Sequence, residues 1–285
     1  MEYRYRRASV SSQKCETATK PVLAATVHDP EARFLPWIAE IGCSLARYAR
    51  VIIALTETTE PRTHSALAAL DIDVDTVPAG SVGDARRNVL GRAVDHSSNA
   101  ILMCDFDRFL HWAIHFPEEL ADLPNRINVL QPYPWYVSLG RSPRAFATHP
   151  RVQQVAESAT NDALGIAVGY PIDAVGGACW LSREGAAIVL ARSIELTAAT
   201  DLEWPALVHR VDPKRVAFLA TEGLEFETAT FYPREVAAAG GRDAWIVQVY
   251  ERPEMWSQRL RLAADSVQAL ARVQGEARMD ETPNR

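Results

Sequence analysis

The chain has 285 residues and a formal net charge of −6, with 48% hydrophobic and 23% charged residues, values that suit a globular protein with a sizeable core. The acidic balance argues against a general nucleic-acid binder, which needs a basic surface for the phosphate backbone. Cys15, Cys43, Cys104 and Cys179 show no C-x-x-C spacing, so neither a zinc site nor a disulfide framework is indicated and a reducing cytoplasm fits; no apolar run approaches the roughly 20 residues of a membrane span.

The basic start MEYRYRR runs into polar residues rather than a signal-peptide apolar core, and residues 1–20 are expected to form a flexible tail. Pro21 to Val27 reads as a strand ending at His28-Asp29-Pro30. Phe34, Trp37, Ile38, Ile41, Leu45 and Tyr48 recur at spacings of three and four, which places them on one helical stripe. Val51 to Leu55 is apolar and rich in β-branching, as a parallel strand buried on both faces requires. A helix through Leu67 and Leu70 and an alternating strand over Ile72, Val74 and Thr76 follow. Strand, helix, strand, helix, strand is the signature of an α/β fold with a mostly parallel central sheet flanked by helices.

Gly80 to Asp84 is a loop, with Asp84 a candidate cap for a helix whose buried stripe is Val89, Leu90, Ala93 and Val94. Arg86 and Arg87 fall in its first turn. Cations are electrostatically misplaced at a helix N-terminus unless an anion joins them, so either a phosphate meets them or they are solvated surface residues. Ala100 to Trp112, AILMCDFDRFLHW, then runs four apolar residues and a cysteine into Asp105 and Asp107. On an extended strand both carboxylates share a face, roughly 7 Å apart, and repel by roughly 2 kcal/mol at an effective dielectric near 20. A divalent cation would relieve that repulsion; Arg108 in a surface turn is the alternative.

Beyond the acidic pair the expected elements are a helix over Leu110 to Leu123 interrupted at Pro117, a strand over Ile127 to Leu130, and an irregular aromatic loop from Gln131 to Pro150. A helix over Val152 to Leu164, a glycine-bearing loop and short strand over Gly169 to Ser182, and a helix from Arg183 to Ala191 come next. Asp201 is the natural N-cap of another helix, and Arg215 to Ala220 and Phe226 to Phe231 are candidate strands. Trp256, Leu260, Ala263, Val267 and Leu270 form a short heptad-like seam that docks on its own domain, with a homodimer through it as the alternative.

Gly83-Asp84-Ala85-Arg86-Arg87-Asn88, a helix, a hydrophobic strand and Asp105-Phe106-Asp107 together resemble the nucleotide-sugar-dependent glycosyltransferases of the GT-A fold. Gly176 to Arg183 looks like that superfamily's glycine-containing segment beside the acceptor, and Asp201-Leu202-Glu203 looks like its later acidic motif. The resemblance covers about residues 21–231, and its organisation is loosely like that of the mannosylglycerate synthases, which leans the reading toward retention at the anomeric carbon.

It implies one GT-A-like domain over residues 21–250, with a nucleotide-sugar half at about 21–130 and an acceptor half at about 131–250, followed by a C-terminal helix and tail at 251–285. It also implies a nucleoside-diphosphate sugar donor, an acceptor hydroxyl on a small molecule or glycan, and Mg2+ or Mn2+, which suit hard carboxylate oxygens. Asp107 is then the first choice as metal ligand, with Asp105 on the metal, its waters or the ribose. His209 is a candidate third ligand. Arg87, with Gly83, Asn88 and Gly177, would hold the nucleotide sugar, and Asp201 or Glu203 would orient or deprotonate the acceptor.

The second strand departs from the usual acidic ending: it closes on Thr56-Glu57-Thr58-Thr59, leaving Glu57 as a conjectural base or ribose contact. Two other readings use the same residues. Haloacid-dehalogenase-type phosphatases also end a strand in D-x-D, although in their first strand, and a GT-A-like fold can bind nucleotide without turnover.

Overall fold

The apolar strands of the first half assemble side by side. A computed structural model describes residues 20–70, 72–77, 81–96 and 100–280, with side chains through residue 275. In chain order β1 (Val22–Val27), α1 (Leu35–Ile38), α2 (Gly42–Leu45), β2 (Arg50–Thr56), α3 (Pro61–Ala68), β3 (Asp73–Val77), α4 (Val82–His96) and β4 (Ile101–Asp105) make up the first half. Then come α5 (Phe106–His115), α6 (Pro117–Asn128), β5 (Tyr136–Arg141), α7 (Pro143–Ala147), α8 (Arg151–Val168), β6 (Ala178–Leu181), α9 (Arg183–Arg192) and α10 (Thr200–Val211). Last are β7 (Val216–Thr221), α11 (Pro233–Ala238), α12 (Arg242–Tyr250) and α13 (Pro253–Asp280), with 3-10 turns at Pro213–Arg215 and Thr228–Phe231.

The seven strands form one sheet in the order β3-β2-β1-β4-β6-β5-β7. β3, β2, β1 and β4 are mutually parallel, β6 runs antiparallel to both β4 and β5, and β7 is parallel to β5. The expected mostly parallel α/β sheet is therefore present. Strand alternation divides the core between the two faces. Ala24, Ile52, Ile101 and Met103 pack with Val89, Leu90, Val189 and Leu207 on one side. Leu23, Ile53, Leu102 and Cys104 pack with Ile38, Leu67, Phe106 and Phe109 on the other. Each Val, Leu, Ile, Phe or Met side chain among them, once buried, contributes about 1.5–3 kcal/mol. The carboxyl ends of β1, β2 and β4 meet at one edge, where open α/β sheets place their ligands.

Several local expectations change. The Phe34 to Tyr48 stripe is buried apart from Trp37, but across two short helices rather than one. Ile127 to Leu130 is not a strand: α6 starts at Pro117, and Leu120, Leu123 and Ile127 form its buried stripe. The segment from Gln131 to Pro150 contains β5, buried along its whole length, and α7, capped by Ser142, whose hydroxyl accepts from the Ala145 N–H at 3.0 Å. Phe226 to Phe231 includes a 3-10 turn instead of a strand.

The C-terminal helix does dock on its own chain, against α8 and α10. It uses Ser266, Ala269, Leu270 and Val273, while Leu260 and Val267 of the expected seam stand 51% and 37% exposed. A straight helix follows the i, i+3, i+4, i+7 stripe; the heptad reading drifts off it. The expected tail, all but residue 20, lies outside the described residues, as does Gly80. Among the described residues no helix is long and apolar enough to cross a membrane.

Candidate active site

β4 delivers Asp105 to the carboxyl edge on the α4 face, in phase with Ile101 and Met103. The chain then turns at once into α5, so the two aspartates do not share a strand face as expected. Asp105 is the N-cap residue of α5 and Asp107 already lies in its first turn. Both nevertheless line one cleft of about 420 Å³. Its remaining walls come from Thr26, Val27 and His28 at the end of β1, Thr56 at the end of β2, Phe34 before α1, and Ser81, Val82 and Ala85 at the start of α4.

Asp105 is held on both oxygens. Thr26 donates its hydroxyl to Oδ1 at 3.0 Å, and Arg86 donates Nη2 to Oδ2 at 2.8 Å. Arg86 is itself buried, and its other nitrogen, Nη1, donates to Asp201 Oδ1 at 2.6 Å and Thr200 Oγ1 at 2.8 Å. One guanidinium thus ties β4, α4 and α10 together. Burial works against its charge, but the two carboxylates outweigh that and raise its pKa. Burial pushes the Asp201 carboxyl up to about 6 against the opposing pull of Arg86. Asp201 is therefore a partner of Arg86 rather than an N-cap; Ala199 occupies the cap position of α10.

Gly177 explains how Asp105 fits. Its carbonyl accepts from the Asp105 N–H at 2.8 Å, its φ is +68°, and a Cβ there would lie 2.8 Å from Asp105 Oδ2. A side chain would be strained by the left-handed backbone and would displace the carboxylate. Antiparallel pairing of β6 with β4 brings this glycine into place.

Asp107 accepts from the Arg108 N–H at 2.8 Å through Oδ1. Its carboxyl is pushed up to about 7, first by burial and then by Glu227, with Asp105 adding to the effect and Arg108 opposing it. Arg108 pairs with Glu227, which is buried just ahead of the Thr228–Phe231 turn. Two guanidinium groups, Arg86 and Arg108, thus stand against four carboxylates, those of Asp105, Asp107, Asp201 and Glu227. An excess of negative charge at a partly desolvated cleft fits a divalent cation. Asp107, with Oδ2 free of protein donors among the described residues, and Asp105 are the groups able to hold one. Among the described residues no three His, Cys, Asp or Glu side chains form a ready-made cage, so further ligands would be water and substrate oxygens, the arrangement Mg2+ commonly adopts with phosphates.

The other sequence candidates sit elsewhere. Arg87 is turned away from the cleft, bonding Ser193 Oγ at 3.2 Å, the Glu195 carbonyl and Asp84. Asn88 is exposed on α4. Gly83 is buried against the 193–196 loop, where its N–H donates to the Leu196 carbonyl at 2.9 Å and any Cβ would collide with Glu195 O. Glu203, only 1% exposed, accepts from the Ile194 and Glu195 N–H groups at 3.0 and 3.2 Å and from Arg272 at 2.7 Å, so it braces that loop. His209 lies in the last turn of α10, about 12 Å along the axis from Asp201. It bonds the Val168 carbonyl, and burial lowers its pKa. Glu57 is exposed beyond β2, its N–H bonded to Val77 O at 2.9 Å, and does not line the cleft.

Arg86 was legible in principle: with Val89, Leu90 and Ala93 it completes an i, i+3, i+4, i+7 stripe, which puts it, and not Arg87, on the buried face. Thr26 follows from strand parity once β1 and β4 are known to pair. Glu227 carries no local signal.

No protein-family model matches the chain, and no curated protein sequence matches it. Among solved structures it is similar to glucosyl-3-phosphoglycerate synthase from Mycobacterium tuberculosis, at 16% identity and a TM-score of 0.51 over 77% of this chain and 78% of that one. The complex of that enzyme with uridine diphosphate aligns at 14% identity and a TM-score of 0.51 over 86% of each chain. Its complex with Mn2+, UDP-glucose and phosphoglyceric acid aligns at 14% identity and a TM-score of 0.50 over 71% of this chain and 70% of that one. The chain has the GT-A fold found in this nucleotide-sugar glycosyltransferase.

Proposed function

We propose that the protein is a divalent-cation-dependent glycosyltransferase that moves a sugar from a nucleoside-diphosphate donor to an acceptor hydroxyl. The observation that carries this reading is the negatively charged cleft at the carboxyl edge of β1, β2 and β4, lined by Asp105 and Asp107. The fold neighbours, solved with UDP and with Mn2+, support the donor class and the cation.

Bound Mg2+ or Mn2+ would supply Lewis-acid stabilisation of the departing diphosphate. Asp107 and Asp105 would hold it, and Arg86 and Thr26 keep Asp105 in one orientation so that no reorganisation is needed. Gly177 leaves room for that carboxylate. Asp201, fixed at Oδ1 by Arg86, lines a small pocket of about 10 Å³ with Gly177 and Tyr136 and would act by holding Arg86 in place. The phosphoglycerate seen with the neighbour is one acceptor to test, and cytoplasmic residence fits the buried free thiols of Cys104 and Cys179. The phosphatase reading is less well supported, because that family carries its D-x-D in the first strand, whereas here the motif begins at the end of β4.

A thermal-shift panel of UDP, GDP, ADP and their sugars, with and without Mn2+, tests the proposal. The expected result is Mn2+-dependent stabilisation by one diphosphate, lost in Asp107→Ala. No shift with any nucleotide, or an equal shift in the variant, would remove the assignment.

A further inference from the structure

Three polar side chains lining the cleft, His28, Thr56 and Ser81, take no part in holding Asp105 or Asp107. His28 follows β1 directly, and the parallel register of β1 with β2 sets it beside Thr56. Its Nδ1 lies 2.9 Å from Thr56 Oγ1, which lies 3.0 Å from Thr59 Oγ1. Thr59 Oγ1 accepts from the Asp29 N–H at 3.3 Å and is 3.5 Å from the Val27 carbonyl. If the hydroxyl protons run from Thr59 to Thr56 to His28, both short contacts are used and Nδ1 is an acceptor. The opposite direction must end on the long 3.5 Å contact. The first arrangement leaves the ring proton on Nε2, which has no protein partner among the described residues. Val82 at the start of α4, an apolar side chain 40% exposed, lines the same cleft. Apolar surface and an N–H without a protein partner in one cleft suit a flat heterocycle with an acceptor on its edge.

We propose that His28 reads the nucleobase of the donor, donating Nε2–H to the exocyclic oxygen at position 4 of uracil or position 6 of guanine. This rests on the nucleotide-sugar reading above. Uracil and guanine carry an acceptor oxygen where cytosine and adenine carry an amino group, and an amino group would set donor against donor and leave both unpaired. The choice is thus between keto and amino bases within each ring size.

The test is calorimetric titration of UDP, CDP, GDP and ADP, each with Mn2+, into the wild-type protein and His28→Phe, with pyrophosphate and Mn2+ as a ligand that has no base. Wild type is expected to prefer UDP over CDP, or GDP over ADP, by about 10-fold. His28→Phe is expected to abolish that preference by weakening the keto nucleotide, with pyrophosphate affinity unchanged. Equal wild-type affinity for keto and amino members, or a preference that survives in His28→Phe, overturns the role of His28 alone. If neither pyrophosphate nor any nucleotide binds the wild type, the nucleotide-sugar reading falls and this inference with it.

Discussion

The two halves of the sheet handle charge differently. In the first half β1, β2 and β4 end in groups that line an open cleft, and Asp107 keeps an oxygen without a protein donor among the described residues. In the second half the charges are closed on one another. Arg141 at the end of β5 is fully buried and bonds Asp173 through Nε at 2.8 Å and Nη2 at 2.7 Å and Glu157 through Nη1 at 2.5 Å. Arg144 pairs with Glu222 and Glu225. A self-neutralised network holds loops in place; an uncompensated carboxylate invites a ligand. Arg86 stands at the boundary, bonding one aspartate from each side.

The largest expected effect breaks the closed half. Arg141→Ala leaves the buried Asp173 without its cation and Glu157 with only the more distant Arg259 at 3.7 Å, and should cost about 3–5 kcal/mol of stability, read as a fall in the denaturation midpoint. If the halves act separately, the nucleotide-dependent thermal shift survives in the folded fraction; its loss would mean that the network also shapes the cleft. Next is Asp107→Asn in the open half, for which cation-dependent nucleotide affinity should fall about 100-fold, or roughly 2.7 kcal/mol, by calorimetry.

The same variant has a pH signature. Because the folded Asp107 carboxyl titrates near 7 against an ordinary 3.8, the folded state keeps a proton that the unfolded chain has released. Without cation, wild-type stability should therefore decline as pH rises from about 4 to about 7. Denaturation curves of Asp107→Asn should lack that part of the slope; an unchanged slope would place its origin elsewhere.

Smaller in effect, Gly177→Ala forces a Cβ against Asp105 Oδ2 at a positive φ and should cost about 1–3 kcal/mol while weakening nucleotide binding. Stability loss with intact binding would separate Asp105 from the ligand. Smallest is Arg272→Ala, which removes one partly exposed cation from Glu195 and Glu203. A loss of about 1 kcal/mol or less is expected, with binding untouched, since the hydroxyl of Ser193 and two backbone N–H groups still hold Glu203.

Local patterns carried much of this. β1, β2 and β4 were readable because strands buried on both faces have little choice but to be apolar, and α4 because its stripe of Val89, Leu90 and Ala93 repeats at helical spacing. Hidden were β5, a buried strand whose sequence looks like a loop, and the turn at Thr228–Phe231, because short irregular segments take their conformation from what they pack against. Choosing Arg87 over Arg86 for the diphosphate followed the likeness of a motif, whereas helical phase favours Arg86 for the cleft.

By itself the sequence determined that a parallel α/β sheet would present Asp105 and Asp107 at a strand end after a helix opening in arginines, since hydrophobic periodicity and strand parity act over a few residues. Which groups meet there was decided only by tertiary structure. Thr26, Arg86, Gly177, Asp201 and Glu227 are far apart in the chain, and their convergence depends on sheet order, on β6 inserting antiparallel beside β4, and on one buried guanidinium satisfying two carboxylates at once. Those are long-range contacts, set by packing and electrostatics across the whole fold and written in no single segment.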